Sequence, residues 1–247
     1  MKNEDRIYSV HAILAGLIFL VAFGMNTGNS EAHGTSQIGS NIYLPVIQNN
    51  YQLISDDFDS PTLNPNWYWI REDPTHWSLQ AVPGWLRIVT QEGDNWLDSG
   101  PNIKNILLQQ VPQGWSSYDI NTKLVFSPIV DWQSAGLIIF TDDDNYVKLF
   151  YGYHSGYGGR SVRLTSEMNA IGLETGVAVD APTIYLKIAK RNNSYEGYYS
   201  TDNLLWMKVG EYTIGMTSPA VGLAASNGSP VYEEADANYD YFRLMRR

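Results

Sequence analysis

Rings with a flat apolar face and cationic side chains recur in the strand-like segments of the chain. The sequence contains 17 Tyr and 8 Trp, and aromatic residues make up 13% of it. Alternation along a strand puts Tyr146, Lys148 and Phe150 on one face and the core-forming Val147 and Leu149 on the other. Rings of this kind stack on the C–H faces of sugars, while cationic groups donate to hydroxyls. The pattern therefore predicts an outward face that binds saccharides.

The same alternation extends the predicted face to other segments, with either Tyr198 or Tyr199 contributing a ring. The predicted saccharide-binding residues are Tyr146, Lys148, Phe150, Arg163, Tyr185, Lys187 and Tyr199, with Trp132 from a connection at one end. The alternative is that a loop or another layer of structure covers this face, because amphipathic tyrosines also suit protein cores.

The carboxylates do not form a recognisable catalytic motif. Jelly-roll glucanases place two glutamates and an aspartate on one strand with the spacing E-x-D-x-x-E, and no segment here has it. Glu167, Glu174, Glu196 and Glu211 occur singly on different segments, which favours solvated or ion-paired groups. The sequence leaves open that two of them meet across strands, as hydrolysis of a glycoside requires.

Other chemistries are limited by composition. The chain has no Cys, which excludes disulfides, Cys-ligated metals and a thiol nucleophile. After residue 50 the only histidines are His76 and His154, so a His-rich metal site is not expected. The net charge of −10 disfavours nucleic acids and anionic membranes as partners.

Three aspartates near the predicted first and last strands form a candidate calcium site. Calcium prefers several hard oxygen ligands, and Asp57, Asp59 and Asp240 could supply them where these strands meet. The alternative is that they cap turns or form ion pairs with Arg243. The acidic run at residues 142–145 is interpreted as a hydrated hairpin turn.

The N-terminus has the pattern of a targeting segment. Lys2 and Arg6 precede an apolar run at residues 12–23, which as a helix would span about 18 Å and is too short for a bilayer. Small residues at Ser30 and Ala32 fit signal peptidase, so we expect a secretory signal peptide cleaved after Ala32 and a secreted protein without membrane contact. The alternative is an uncleaved membrane anchor. Residues 33–50 have the composition of a flexible linker.

From residue 51 to residue 247 the periodicity is that of β-strands. Fourteen short alternating segments, separated by Gly, Pro, Asn and Asp, predict a single all-β domain with two packed antiparallel sheets, a jelly-roll sandwich. The predicted strands are residues 53–58, 67–71, 77–80, 85–90, 105–111, 120–126, 135–141, 146–153, 161–167, 184–190, 195–200, 206–211, 221–225 and 239–244.

Three blocks carry a resemblance to a known family. The opening D-D-F-D-S-P-T-L-N-P-N-W at residues 56–67, the hairpin at residues 135–149 and the closing segments at residues 221–226 and 237–242 resemble the concanavalin A-like C-terminal domain of family 43 glycoside hydrolases such as β-xylosidases. The resemblance spans about residues 53–245. In that family the domain follows a five-bladed catalytic propeller, which these 247 residues do not contain. The resemblance therefore implies the fold and not the hydrolytic activity.

These observations leave three functions in competition. The first is a non-catalytic carbohydrate-binding module for a polysaccharide such as xylan, with a separate catalytic chain as a further candidate partner. The second is a glycoside hydrolase similar to β-xylosidases, and the third is a cell-surface structural or interaction domain. Apart from structural calcium, the sequence implies no cofactor.

Overall fold

Two antiparallel sheets form the domain, as the sequence predicts. The computed structural model describes residues 52–98, 101–169, 171–228 and 233–247, and these contain fifteen strands and three short 3-10 turns. The predicted signal peptide and linker, residues 1–32 and 33–50, lie outside the described residues. No helix in the described ranges is long and apolar enough to cross a membrane.

One sheet, called the front sheet below, carries most of the residues of interest. Its strands in spatial order are β10 (Ile171–Ala178), β9 (Gly159–Met168), β8 (Asn145–His154), β7 (Ser134–Asp142), β14 (Ala220–Ser226), β5 (Ile106–Gln110) and β2 (Tyr68–Ile70). All fourteen predicted segments correspond to observed strands in one sheet or the other, but β10 was not predicted.

The other sheet, called the back sheet, packs against it. Its strands in spatial order are β13 (Met207–Thr213), β12 (Ser194–Ser200), β11 (Thr183–Arg191), β6 (Ser117–Val125), β15 (Asp236–Arg246), β4 (Leu86–Val89) and β3 (Trp77–Ser78), and β1 (Leu53–Asp56) pairs with β15. The first and last strands are thus neighbours.

The core between the sheets is formed by the residues that alternation predicts to point inward. Val147, Leu149, Val162, Leu164 and Leu186 are fully buried in one cluster with residues of both sheets. Each such side chain stabilises the fold by about 1.5–3 kcal/mol relative to an exposed position. The predicted core-facing positions of β8, β9 and β11 are therefore confirmed.

The opening motif holds the first loop against the core. The carboxylate of Asp56 accepts hydrogen bonds from the backbone N–H of Phe58 and from Nε1 of Trp67, each at 2.8 Å. The Trp67 ring packs edge-on against Phe242 of β15, with centroids 5.1 Å apart. The spacing of the D-x-F…W pattern thus has a structural cause.

Replacement of Asp56 by alanine is expected to lower the free energy of unfolding by about 2–3 kcal/mol, because two donors lose a charged acceptor. Urea denaturation measures the difference. The neighbouring Asp57→Ala is the matched control, since its exposed ion pair with Arg243 is worth about 0–1 kcal/mol. Equal losses in the two variants would contradict this role for Asp56.

A second apolar layer lies on the outer face of the front sheet. Residues 91–98 and 101–104 pass over this face and are called the covering segment. Its Ile103 is buried against residues of β5, β7, β8 and β14, among them Ile106, Ile138, Tyr146 and Phe150. The front sheet is therefore buried on both faces over this region.

Candidate functional site: a cavity beside the covering segment

A cavity of about 150 Å³ lies on the outer face of the front sheet beside the covering segment. Its lining combines rings with paired cations and carboxylates. The lining residues are Ser134, Lys148, Phe150, His154, Arg163, Thr165 and Glu174 from the sheet, Asp94 and Trp96 from the covering segment, and Trp132 from the connection before β7.

Lys148 joins the sheet to the covering segment. Its Nζ lies 3.0 Å from Oδ1 of Asp94 and within 5.6 Å of the ring centroids of Tyr146 and Phe150. Burial acts to raise the pKa of Asp94, but the charge and hydrogen bond of Lys148 outweigh it and hold that pKa below its usual value. Asp94 is therefore a carboxylate at neutral pH.

The lowered pKa of Asp94 predicts an acid-sensitive contribution to stability. This contribution is fully present above the pKa of an unfolded aspartate, about 3.9, and is lost as the pH falls through the lower folded-state pKa. Urea denaturation between neutral pH and about pH 2 measures it, with Lys148→Met as the variant in which Asp94 has lost its cation. The acid-dependent loss of stability is expected to shrink in that variant, and an unchanged profile would contradict the assignment.

Arg163 and Glu174 form the second charged pair of the cavity. Arg163 Nη1 lies 3.5 Å from Glu174 Oε2, and Thr165 Oγ1 donates to the same oxygen at 2.9 Å. Arg163 is only 6% exposed, and its Nε makes no hydrogen bond within the described part of the chain. A buried donor without a partner is costly to the fold.

Aromatic side chains close one end of the cavity. The rings of Trp132 and His154 meet edge to face at 4.4 Å, and His154 meets Tyr157 in the same way at 5.2 Å. Burial and the nearby Arg163 lower the pKa of His154, so its ring is neutral at physiological pH. The N–H of Gly156 donates to Nδ1, which leaves Nε2 of the neutral ring as a donor.

Two anchors hold the covering segment in place. Glu167 Oε2 accepts hydrogen bonds from the Tyr146 hydroxyl and from the backbone N–H of Leu97, each at 3.0 Å. At the tip of the β7–β8 hairpin, Asp143 accepts two hydrogen bonds from Arg71 and one each from Asn95 and Asn102, at 2.8–2.9 Å. These contacts fix the positions of Asp94 and Trp96.

Four of the predicted binding residues meet at this cavity: Lys148, Phe150, Arg163 and Trp132. Tyr146 shares their face but is fully buried below Lys148, and Phe150 is only 2% exposed. The expectation of an open row of stacking rings on this face is therefore wrong. The covering segment buries most of that row and leaves a cavity, which is closer to the alternative of a loop-covered face.

The remaining three predicted residues lie on the back sheet. Tyr199 points into the core, while Tyr185 and Lys187 point outward, with Lys187 Nζ within 4.7 Å of the ring centroids of Tyr198 and Trp206. The prediction that all eight residues share one face is therefore wrong. Alternation separates inward from outward positions but does not say to which sheet a strand belongs.

The three candidate calcium ligands do not form a cluster of oxygens. Asp57 pairs with Arg243, and Asp240 lies 2.7 Å from Nζ of Lys123. Within the described ranges no group of three or more His, Asp or Glu side chains is placed to hold a metal ion. The alternative of an ion pair with Arg243 therefore describes Asp57, and calcium binding by Asp57, Asp59 and Asp240 stays a prediction.

Sequence reasoning missed several residues of the cavity. Asp94 and Trp96 belong to a segment that was not assigned to any element, and Glu174 lies on the unpredicted β10. His154, one of two histidines after residue 50, was noted only as a limit on metal binding. The rarity of histidine after residue 50 was the one signal in the sequence that could have marked His154 as a candidate site residue.

Residues 55–245 match the family of β-xylosidase C-terminal concanavalin A-like domains. The chain belongs to this family. It is 25% identical over 211 residues to the non-reducing end α-L-arabinofuranosidase of Bacteroides ovatus, covering 78% of this chain and 38% of that protein.

Two of the solved structures that it resembles belong to longer chains. A glycoside hydrolase family 43 protein of Bacillus licheniformis superposes with a TM-score of 0.70 at 25% identity, covering 78% of this chain and 39% of that one. The xylan β-1,4-xylosidase of Bacillus halodurans has a TM-score of 0.66 at 23% identity, with coverage of 78% and 39%. The chain thus spans about two fifths of the length of these relatives.

Proposed function

We propose that this chain is a non-catalytic carbohydrate-binding domain whose cavity on the front sheet holds one sugar ring. The cavity carries the proposal, because it combines aromatic walls, donors from Lys148 and Arg163 and acceptors from Asp94 and Glu174. Ligand sites are typically concave and apolar, with a few converging polar groups. The occupant that we propose belongs to a polysaccharide such as xylan, met outside the cell.

The size of the cavity supports one ring rather than several. Its volume of about 150 Å³ is close to that of engineered apolar cavities that hold one benzene molecule. Trp96 and Trp132 provide ring faces for the C–H groups of a sugar, and both carboxylates can accept from its hydroxyls.

A glycoside hydrolase is the second candidate function, because Asp94 and Glu174 both line the cavity. Hydrolysis requires a carboxylic acid that protonates the leaving oxygen, and such groups have raised pKa values. The lowered pKa of Asp94 makes it unsuitable for that role. Release of reducing sugar from xylan and arabinoxylan by the purified chain would favour hydrolysis over binding alone.

Affinity electrophoresis on xylan, arabinoxylan and β-glucan tests the binding function. We expect retardation on at least one of them and, for Trp132→Ala, an affinity at least about tenfold weaker because a ring at the cavity is lost. Trp206→Ala is the matched control, since it removes a ring from the outward face of the back sheet.

The outcomes separate the competing functions. Loss of binding in Trp206→Ala but not in Trp132→Ala would move the site to the back sheet, where Tyr185 and Lys187 lie. No retardation on any glycan would overturn the proposal and favour an interaction domain, including one that joins a separate catalytic chain.

A further inference from the structure

The charge arrangement of the cavity has a consequence for its ligand. We propose that the cavity selects an uncharged sugar ring, at a chain end or on a side branch, over the same ring bearing a carboxylate. This inference rests on the proposed function and adds the chemical class of the sugar.

Both cations at the cavity already have a carboxylate partner. Lys148 Nζ lies 3.0 Å from Asp94, and Arg163 Nη1 lies 3.5 Å from Glu174. A third carboxylate, that of Glu167, is fully buried on the same sheet face beside Tyr146, where the covering segment bonds to it. A carboxylate on the ligand would therefore enter a space where each cation is matched and would meet the like charges of Asp94 and Glu174.

Neutral hydroxyls suit the same groups without this conflict. A hydroxyl donates and accepts at once, so a hydroxyl close to Glu174 can donate to it and accept from a nearby cation. Lys148 and Arg163 supply cationic donors at the cavity, and Nε2 of neutral His154 is a further donor. Donors and acceptors thus both line the cavity, as the hydroxyls of one ring require.

The enclosure of the cavity favours a terminal or branching unit. The covering segment stands over one side through Trp96, and the edge-to-face rings of Trp132, His154 and Tyr157 stand at one end. A chain running through the site would have to pass these walls, whereas a single ring can enter from the mouth. Further units of an oligosaccharide should therefore add little affinity.

Calorimetric titration of the full chain with simple glycosides tests the inference. The probes are methyl β-xyloside, methyl α-arabinofuranoside, methyl β-glucoside, methyl β-galactoside and methyl β-glucuronide, together with xylotetraose. We expect at least one neutral methyl glycoside to bind and the glucuronide to bind at least about tenfold more weakly than the glucoside, or not at all. Where methyl xyloside binds, xylotetraose should be within about threefold of it.

Glu174→Gln tests whether the charge of Glu174 sets the ratio of glucoside to glucuronide affinity. If Glu174 had only a structural role, its replacement would not change this ratio. The variant frees Arg163 of its counter-ion and keeps an amide oxygen for Thr165, so the disadvantage of the glucuronide should shrink by at least about fivefold. Glu196→Gln is the matched control, because Glu196 pairs with Lys208 at 2.6 Å on the back sheet. Its ratio of glucoside to glucuronide affinity should equal that of the unaltered chain.

Three results would overturn the inference. Glucuronide binding as tight as glucoside binding would reject the neutral-sugar class, and a large gain from methyl xyloside to xylotetraose would reject the single ring, while carbohydrate binding itself would stand in both cases. Absence of binding by every probe and by the polysaccharides would reject the binding function together with this inference.

Discussion

Alanine in place of Lys148 is expected to abolish glycan retardation and to lower the free energy of unfolding by about 2–3 kcal/mol, because it leaves a partly buried carboxylate without its cation. The side chain of Lys148 is only 9% exposed, and that of Asp94 is 22% exposed. The loss of stability comes from the unpaired charge of Asp94, and the loss of glycan binding comes from the missing donor in the cavity. Urea denaturation and affinity electrophoresis measure the two effects.

Lys187→Ala serves as the control for this variant. Lys187 also lies over two aromatic rings, those of Tyr198 and Trp206, but on the outward face of the back sheet. Its replacement should cost no more than about 1 kcal/mol and should leave glycan binding unchanged. The account would be contradicted if Lys148→Ala bound glycans as well as the unaltered chain, or if the two lysine variants behaved alike.

Asp143→Ala is expected to weaken glycan binding at least about tenfold, although Asp143 does not line the cavity. It accepts two hydrogen bonds from Arg71 and one each from Asn95 and Asn102, and the latter two tie the covering segment to the β7–β8 hairpin. Without them Asp94 and Trp96 lose their fixed positions. Because these groups are partly exposed, the expected loss in the free energy of unfolding is only about 2 kcal/mol.

The adjacent Asp144→Ala provides the comparison for Asp143. Asp144 is exposed on the same hairpin, and exposed substitutions of this kind change stability by no more than about 0.5 kcal/mol. Hydrogen exchange of the amides of Asn95, Trp96 and Leu97 should accelerate in Asp143→Ala alone. Slow exchange with normal glycan binding in Asp143→Ala would show that the covering segment does not depend on this anchor.

The sandwich was predictable because its signal lies within single strands. Val147 and Leu149 alternate with Tyr146 and Lys148, and this local pattern determines which residues reach the core. The opening Asp56, Phe58 and Trp67 could be recognised for a similar reason, because their hydrogen bonds join residues close in sequence.

β10 escaped prediction because two glycines interrupt its apolar pattern. A Cβ at Gly172 would lie 2.5 Å from the ring of Trp96, and one at Gly176 would lie 2.8 Å from Cγ of Arg163. The glycines that obscure the strand therefore make room for side chains of the cavity.

The cavity as a whole could not be predicted because its parts meet only in the tertiary structure. Lys148 pairs with Asp94, and Arg163 pairs with Glu174. The alternation of residues along one strand does not show which residue of another segment a side chain will meet. The assignment of Tyr185 and Lys187 to the face of Tyr146 failed for a related reason, because strand order within and between sheets depends on long-range pairing.

The most direct test of carbohydrate binding at the cavity is a titration followed by the indole N–H signals of the tryptophans in NMR spectra. With arabinoxylan oligosaccharides or the neutral methyl glycosides, we expect the signals of Trp96 and Trp132 to shift. Those of Trp85 and Trp206, which lie beside Lys123 and Lys187 of the back sheet, should stay in place. Shifts confined to Trp85 and Trp206, or unchanged signals with every glycan, would contradict the account.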